Sequence, residues 1–93
     1  GRLIDALRCF NAALKVNLRY EVAWNNKGNT LARLGHFEEA LACYQRALAI
    51  DPEYRGAWVN KGYVLTKLGR YDEATSCADR VLQLNETTRS RTA

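Results

Sequence analysis

Residues 21–54 read EVAWNNKGNTLARLGHFEEALACYQRALAIDPEY, and residues 55–88 read RGAWVNKGYVLTKLGRYDEATSCADRVLQLNETT. Laid one under the other without a gap, the two segments agree at 13 of 34 positions. Trp24 falls on Trp58, Asn26 on Asn60, Lys27 on Lys61, Gly28 on Gly62, Leu31 on Leu65 and Ala40 on Ala74. The same offset carried upstream brings Gly1 onto Gly35 and Gly69, Cys9 onto Cys43 and Cys77, and Leu14 onto Leu48 and Leu82. Self-similarity at a fixed period of this size marks a stacked repeat array. The chain divides into half a repeat at 1–20, full repeats at 21–54 and 55–88, and a polar tail at 89–93.

Each full unit reads as two helices. Between Glu21 and Leu34 the apolar residues Trp24, Leu31 and Leu34 recur at helical spacing, and Gly35 supplies the left-handed residue that ends a helix. Phe37, Ala40, Leu41, Tyr44, Ala47 and Leu48 make a second stripe, closed at Ile50 by Asp51-Pro52 because proline disfavours helix in the residue before it. The second unit repeats the plan at Tyr54 to Leu68 and Tyr71 to Leu84, with Gly69 between them. Residues Leu3 to Val16 match the second helix alone. The expectation is an all-α chain of five helices and no strands. Gly28, Gly62, Ala40, Ala47 and Ala74 let helix axes approach, while Trp24, Trp58, Phe10 and Tyr44 fill the wider gaps.

These residues resemble the tetratricopeptide repeat, whose pattern is Trp-x2-Leu-Gly-x2-Tyr, then Ala-x3-Phe, a further alanine and a late proline. Residues 21–54 match it at Trp24, Gly28, Ala40, Tyr44, Ala47 and Pro52. Residues 55–88 match at Trp58, Gly62 and Ala74, but Ala78, Val81 and Glu86 replace the aromatic, the alanine and the proline. Lys27 and Lys61 stand where the family has leucine, and Leu31 and Leu65 where it has tyrosine. The resemblance implies a right-handed superhelix, an α-solenoid of antiparallel helix pairs, whose first helices line a concave groove that binds a protein or peptide ligand. Carried over by offset, that groove would be lined by Val22, Asn25, Asn26, Asn29 and Arg33, and by Val59, Asn60, Tyr63, Thr66 and Lys67.

Those residue types suit a peptide. Asparagine both donates and accepts, so it can bond a backbone whatever its sequence. Tyr63 adds apolar area with a polar tip, and Arg33 and Lys67 favour acidic ligands. Taken one at a time these residues also read as an ordinary solvated helix face. One sub-family clamps the C-terminal carboxylates of chaperones, and Asn29 and Asn60 fall on two of its asparagine positions. Its first lysine is replaced here by Asn25, and no repeat supplies its last basic pair. The sequence therefore argues against such a clamp.

Other functions find little support. The 93 residues carry 14 basic and 10 acidic side chains, a net charge of +4 with the signs interleaved. With no aromatic row to stack bases, nucleic acid is disfavoured. No apolar run spans a bilayer, so no membrane partner is expected. His36 reads as a turn residue, the carboxylates Glu38, Glu39, Asp72 and Glu73 suit helix starts, and no catalytic motif is present, so the chain reads as no enzyme and as needing no cofactor. Cys9, Cys43 and Cys77 have no metal-ligand spacing and no pairing partner, which points to packed thiols and a reducing cytoplasm.

A second function class is self-association. Leu3, Leu7, Phe10 and Leu14 lack the first helix that would cover them, and no polar capping helix follows Leu84. Open ends of this kind expose apolar surface, as in an architectural module or a piece of a longer array. Trp24→Ala and Trp58→Ala are each expected to cost about 3–5 kcal/mol of stability. An unchanged melting temperature in both variants would contradict the stacked repeat.

Overall fold

The computed structural model describes residues 2–16 and 20–92, with side chains for 2–12 and 20–86. Gly1 and the side chain of Leu14 lie outside the described residues. Five helices follow one another: α1 (Arg2–Val16), α2 (Glu21–Arg33), α3 (Phe37–Ile50), α4 (Arg55–Lys67) and α5 (Tyr71–Thr92). No strand occurs among the described residues.

The turns inside the two repeats are copies of each other. Gly35 and Gly69 sit at φ 82° and 77°, where a Cβ is disfavoured. Around the first, the Gly35 amide donates to Ala32 and the His36 amide to Leu31, at 3.0 and 2.8 Å. Around the second, Gly69 donates to Thr66 and Arg70 to Leu65 at the same distances. This double bond around a left-handed residue satisfies the last carbonyls of a helix and sends the chain back on itself. Between repeats, Asp51 is extended ahead of Pro52 and ends α3. The Trp58 indole then donates to the Pro52 carbonyl at 2.7 Å and ties that turn to α4.

The last helix departs from the sequence expectation. It runs on to Thr92 instead of stopping at Leu84, so residues expected as a tail continue the helix. The reason is local: Glu86 occupies the place of Pro52, and no glycine follows Leu84.

Helices α2 and α3 pack as one antiparallel pair and α4 and α5 as the next, with α3 against α4 joining them and α1 against α2. Helices α2 and α4 also approach each other, whereas among the described residues the backbones of α3 and α5 do not. The first helices therefore form the tighter, inner layer, and the array curves around it. One apolar cluster of Leu31, Ala40, Leu41, Cys43, Tyr44, Val64, Leu65 and Cys77 runs through both repeats. A second, of Ala47, Leu48 and Ala57, sits where α3 meets α4. Trp24 and Trp58 close the edges of these clusters and are half-buried.

Lys27 and Lys61, where leucine was expected, place their ammonium groups 5.4 and 5.1 Å from the centroids of Trp24 and Trp58. Arg46 and Arg80, again one repeat apart, approach the same rings at 5.3 and 6.0 Å. Each such cation over a ring face contributes about 0.5–1 kcal/mol.

The two core glycines differ in their surroundings. A Cβ on Gly28 would lie 2.6 Å from Cε1 of the Tyr44 ring, a buried group that cannot move aside. A Cβ on Gly62 would meet the Cys77 Cβ at 3.4 Å, ordinary contact. Gly28→Ala is therefore expected to destabilise by about 1–3 kcal/mol through overpacking. Gly62→Ala is expected to gain up to about 1 kcal/mol from helix propensity. Urea denaturation of the two variants side by side checks the opposite signs.

Candidate peptide-binding groove

On the inner face, Asn29, Ala32 and Arg33 of α2 meet Asn60 and Tyr63 of α4 around a cavity of about 420 Å³, with Tyr44 of α3 at its floor. Four of the ten groove residues expected from sequence thus come together at one place. Two side chains in this site were not anticipated. Ala32 lies one turn after Asn29 on the same face, so helical spacing alone would have found it. Tyr44 reads as core from sequence, and its ring is core. Its hydroxyl, however, emerges beside the cavity and donates to Oδ1 of Asn29 at 2.7 Å.

That bond fixes Asn29 with its amide NH2 free of the Tyr44 contact and able to donate. Asn60 is held in the opposite sense: its Nδ2 donates to Oδ1 of Asn25 at 3.1 Å, leaving its carbonyl oxygen to accept. The two amides so present a donor from α2 and an acceptor from α4, which is what an extended backbone requires. Arg33 is exposed, and no carboxylate lines the cavity.

The remaining expected residues lie elsewhere. Asn25 is 6% exposed, turned between α2 and α4, where its Nδ2 also donates to the Tyr54 hydroxyl at 3.4 Å. It holds Asn60 and does not itself face a ligand. Val22 and Asn26 are half-buried and line no part of this cavity. Thr66 donates to its own helix at the Gly62 carbonyl, 2.9 Å, and together with Val59 borders a separate apolar cavity at the end of the array. Lys67 stands beside Tyr63 with its ammonium 5.5 Å above the ring.

His36 precedes α3 and its Nδ1 lies 3.6 Å from Glu39. Arg70, at the matching place, pairs with Glu73. Among the described residues no three His, Cys, Asp or Glu side chains gather as metal ligands, and no helix is long and apolar enough to cross a membrane. Cys9 is exposed, while Cys43 and Cys77 are buried and unpaired.

The family model for the tetratricopeptide repeat matches residues 22–54 and 56–87. The chain belongs to the tetratricopeptide repeat family. No curated protein matches it significantly. Among solved structures, the crystal structure of MamA superposes with a TM-score of 0.93 at 21% identity, covering 97% of this chain and 53% of that one. The chain thus spans about half the length of MamA. The second TPR of Spaghetti (RPAP3), bound to the HSP90 peptide SRMEEVD, gives a TM-score of 0.87 at 24% identity, covering 90% of this chain and 78% of that one. The first TPR of the same protein, bound to the same peptide, gives 0.87 at 25%, covering 90% and 67%. The helical-repeat fold is that of a protein-interaction scaffold.

Burial sets how the chain responds to alkali. It raises the thiols of Cys43 and Cys77 above their ordinary value, and pushes the Tyr44 hydroxyl from 10.0 up to about 12. In each case the fold favours the neutral, protonated form. Their stabilising share is complete below the unfolded-state values and is lost as pH rises through the folded ones. Stability is therefore expected to hold through neutral pH, then decline above the ordinary thiol value of 9.0 and fall further as Tyr44 ionises near 12. Denaturant titrations across that range check this. In the native protein at neutral pH, a thiol reagent should label Cys9 and spare Cys43 and Cys77.

Proposed function

We propose that the chain is a non-enzymatic scaffold that holds an acidic peptide segment of a partner protein in its concave groove. The observation that carries this reading is the convergence of Asn29, Arg33, Asn60 and Tyr63 on one cavity without a carboxylate in its lining. Asn29 donates to the peptide backbone, Asn60 accepts from it, Tyr63 covers an apolar side chain and Arg33 pairs with an acidic one. Two of these groups are already fixed by bonds within the fold, Asn29 by Tyr44 and Asn60 by Asn25. Little side-chain entropy is then lost on binding.

The peptide held by the two Spaghetti repeats, SRMEEVD, is itself acidic, which supports a ligand of that charge. A chaperone C-terminus is not the ligand in this reading, since Asn25 takes the place of the clamp's first lysine and is packed against α4. Three unpaired thiols suit a reducing compartment, so the scaffold is assigned to the cytoplasm.

An array of peptides of varied charge, probed with this chain and with Arg33→Glu, tests the proposal. The expected result is capture of acidic peptides, with affinity reduced about tenfold in Arg33→Glu at an unchanged melting temperature. Capture of neutral or basic peptides, or equal binding by the variant, would overturn it.

A further inference from the structure

Charge is divided between the layers of the array. Helix α4 contains no carboxylate and α2 only Glu21, in its first turn, while α3 opens with Glu38 and Glu39 and α5 with Asp72 and Glu73. Two cations of the inner helices stand one repeat apart: Arg33 ends α2 and Lys67 ends α4. A helix terminus favours a cation there, yet α3 ends without one, so the dipole alone does not account for the pair. Both side chains are exposed, and among the described residues neither pairs with a carboxylate.

The two cations differ in what they rest on. One turn before Arg33 is Asn29, whose side-chain carbonyl is held by the Tyr44 hydroxyl. One turn before Lys67 is Tyr63, whose ring is 55% exposed and carries the Lys67 ammonium 5.5 Å from its centroid. Tyr63 lines from α4 the same cavity that Arg33 lines from α2. An apolar group that takes the covered face of the ring displaces the ammonium, which is then beside the ligand and able to meet an anion.

On the reading that the groove holds an acidic peptide, we infer that this peptide carries two acidic residues with one apolar residue between them. The apolar side chain enters the cavity over Tyr63, one carboxylate meets Arg33, and the other meets Lys67 as it leaves the ring. The spacing follows from the fold. Packed helices stand about 8–10 Å apart, and residues i and i+2 of an extended peptide lie on one side about 7 Å apart. The long side chains of Arg33 and Lys67 close the difference, while residue i+1 points the opposite way, into the cavity. Lys67 is thus a specificity-determining residue, because it ties the apolar contact to the second charge: neither gain is complete without the other.

Three synthetic peptides with both ends blocked and the same Gly-Ser flanks are the probes: Glu-Leu-Glu, the single-acid Glu-Leu-Gln and the reordered Leu-Glu-Glu. Each is titrated into the whole chain and followed by NMR. Glu-Leu-Glu is expected to bind about tenfold more tightly than either of the others. Lys67→Gln, a change at an exposed position, should remove that advantage at an unchanged melting temperature. In the free chain the ε-methylene protons of Lys67 should be shielded by the Tyr63 ring, and saturation with Glu-Leu-Glu should return them to their ordinary position. Equal binding of Leu-Glu-Glu, an unaltered preference in Lys67→Gln, or ε-protons that stay shielded at saturation would overturn this pattern. If the acidic peptides still bind in those cases and are weakened by Arg33→Glu, the acidic groove itself stands. Failure of all three peptides to bind would overturn both.

Discussion

The contact of the Tyr44 ring with Gly28 is the constraint on which the first repeat and its binding face both depend. A glycine on α2 allows the ring to cross from α3 into the inner layer, and only a ring of that length brings a hydroxyl out beside Asn29. A single side chain therefore sets the spacing of two helices, fills the core between them and orients a polar group in the groove. Its phenol is desolvated, and its hydrogen bond to Asn29 keeps it satisfied there.

A second polar contact extends that order to the next repeat. Asn25 joins the Tyr54 hydroxyl and the Asn60 amide, linking α2 to the turn before α4 and to α4 itself. Apolar packing between helices is tolerant of small slips, whereas a buried amide must find its partners or leave them unpaired. The pair therefore fixes the register of the inner layer, and with it the distance between the two faces that a ligand would touch.

The period, the five helices and their turns were legible in the sequence because each rests on a local rule. Gly35 and Gly69 take positive φ, and Asp51 is extended before Pro52. The end of α5 was equally local, since the loss of proline at Glu86 removes the stop, although the polar composition after Leu84 suggested a tail. The site was harder to read. Asn25 and Asn29 are one turn apart on the same helix, yet one is sealed against α4 and the other faces the cavity. Which of them is covered depends on where α4 lies, a tertiary fact that helical spacing does not contain. Lys27 illustrates the same limit: its place where the family has leucine does not show that in the fold its ammonium lies over the Trp24 ring.

Among the described residues the backbones of α3 and α5 stay apart while those of α2 and α4 meet, and this has a mechanical consequence. The inner layer behaves as a hinge line and the outer helices as the ribs of a fan. Bending about that line changes the spacing of the ribs without breaking any contact between them, so the softest deformation of the array is a change of curvature. The rigid units are the helix pairs, joined by the buried packing of α3 against α4 and by the inner contact of α2 with α4. A ligand on the inner face then meets a fixed spacing of α2 and α4, while the gap between α3 and α5 is free to open or close with each pair keeping its own packing.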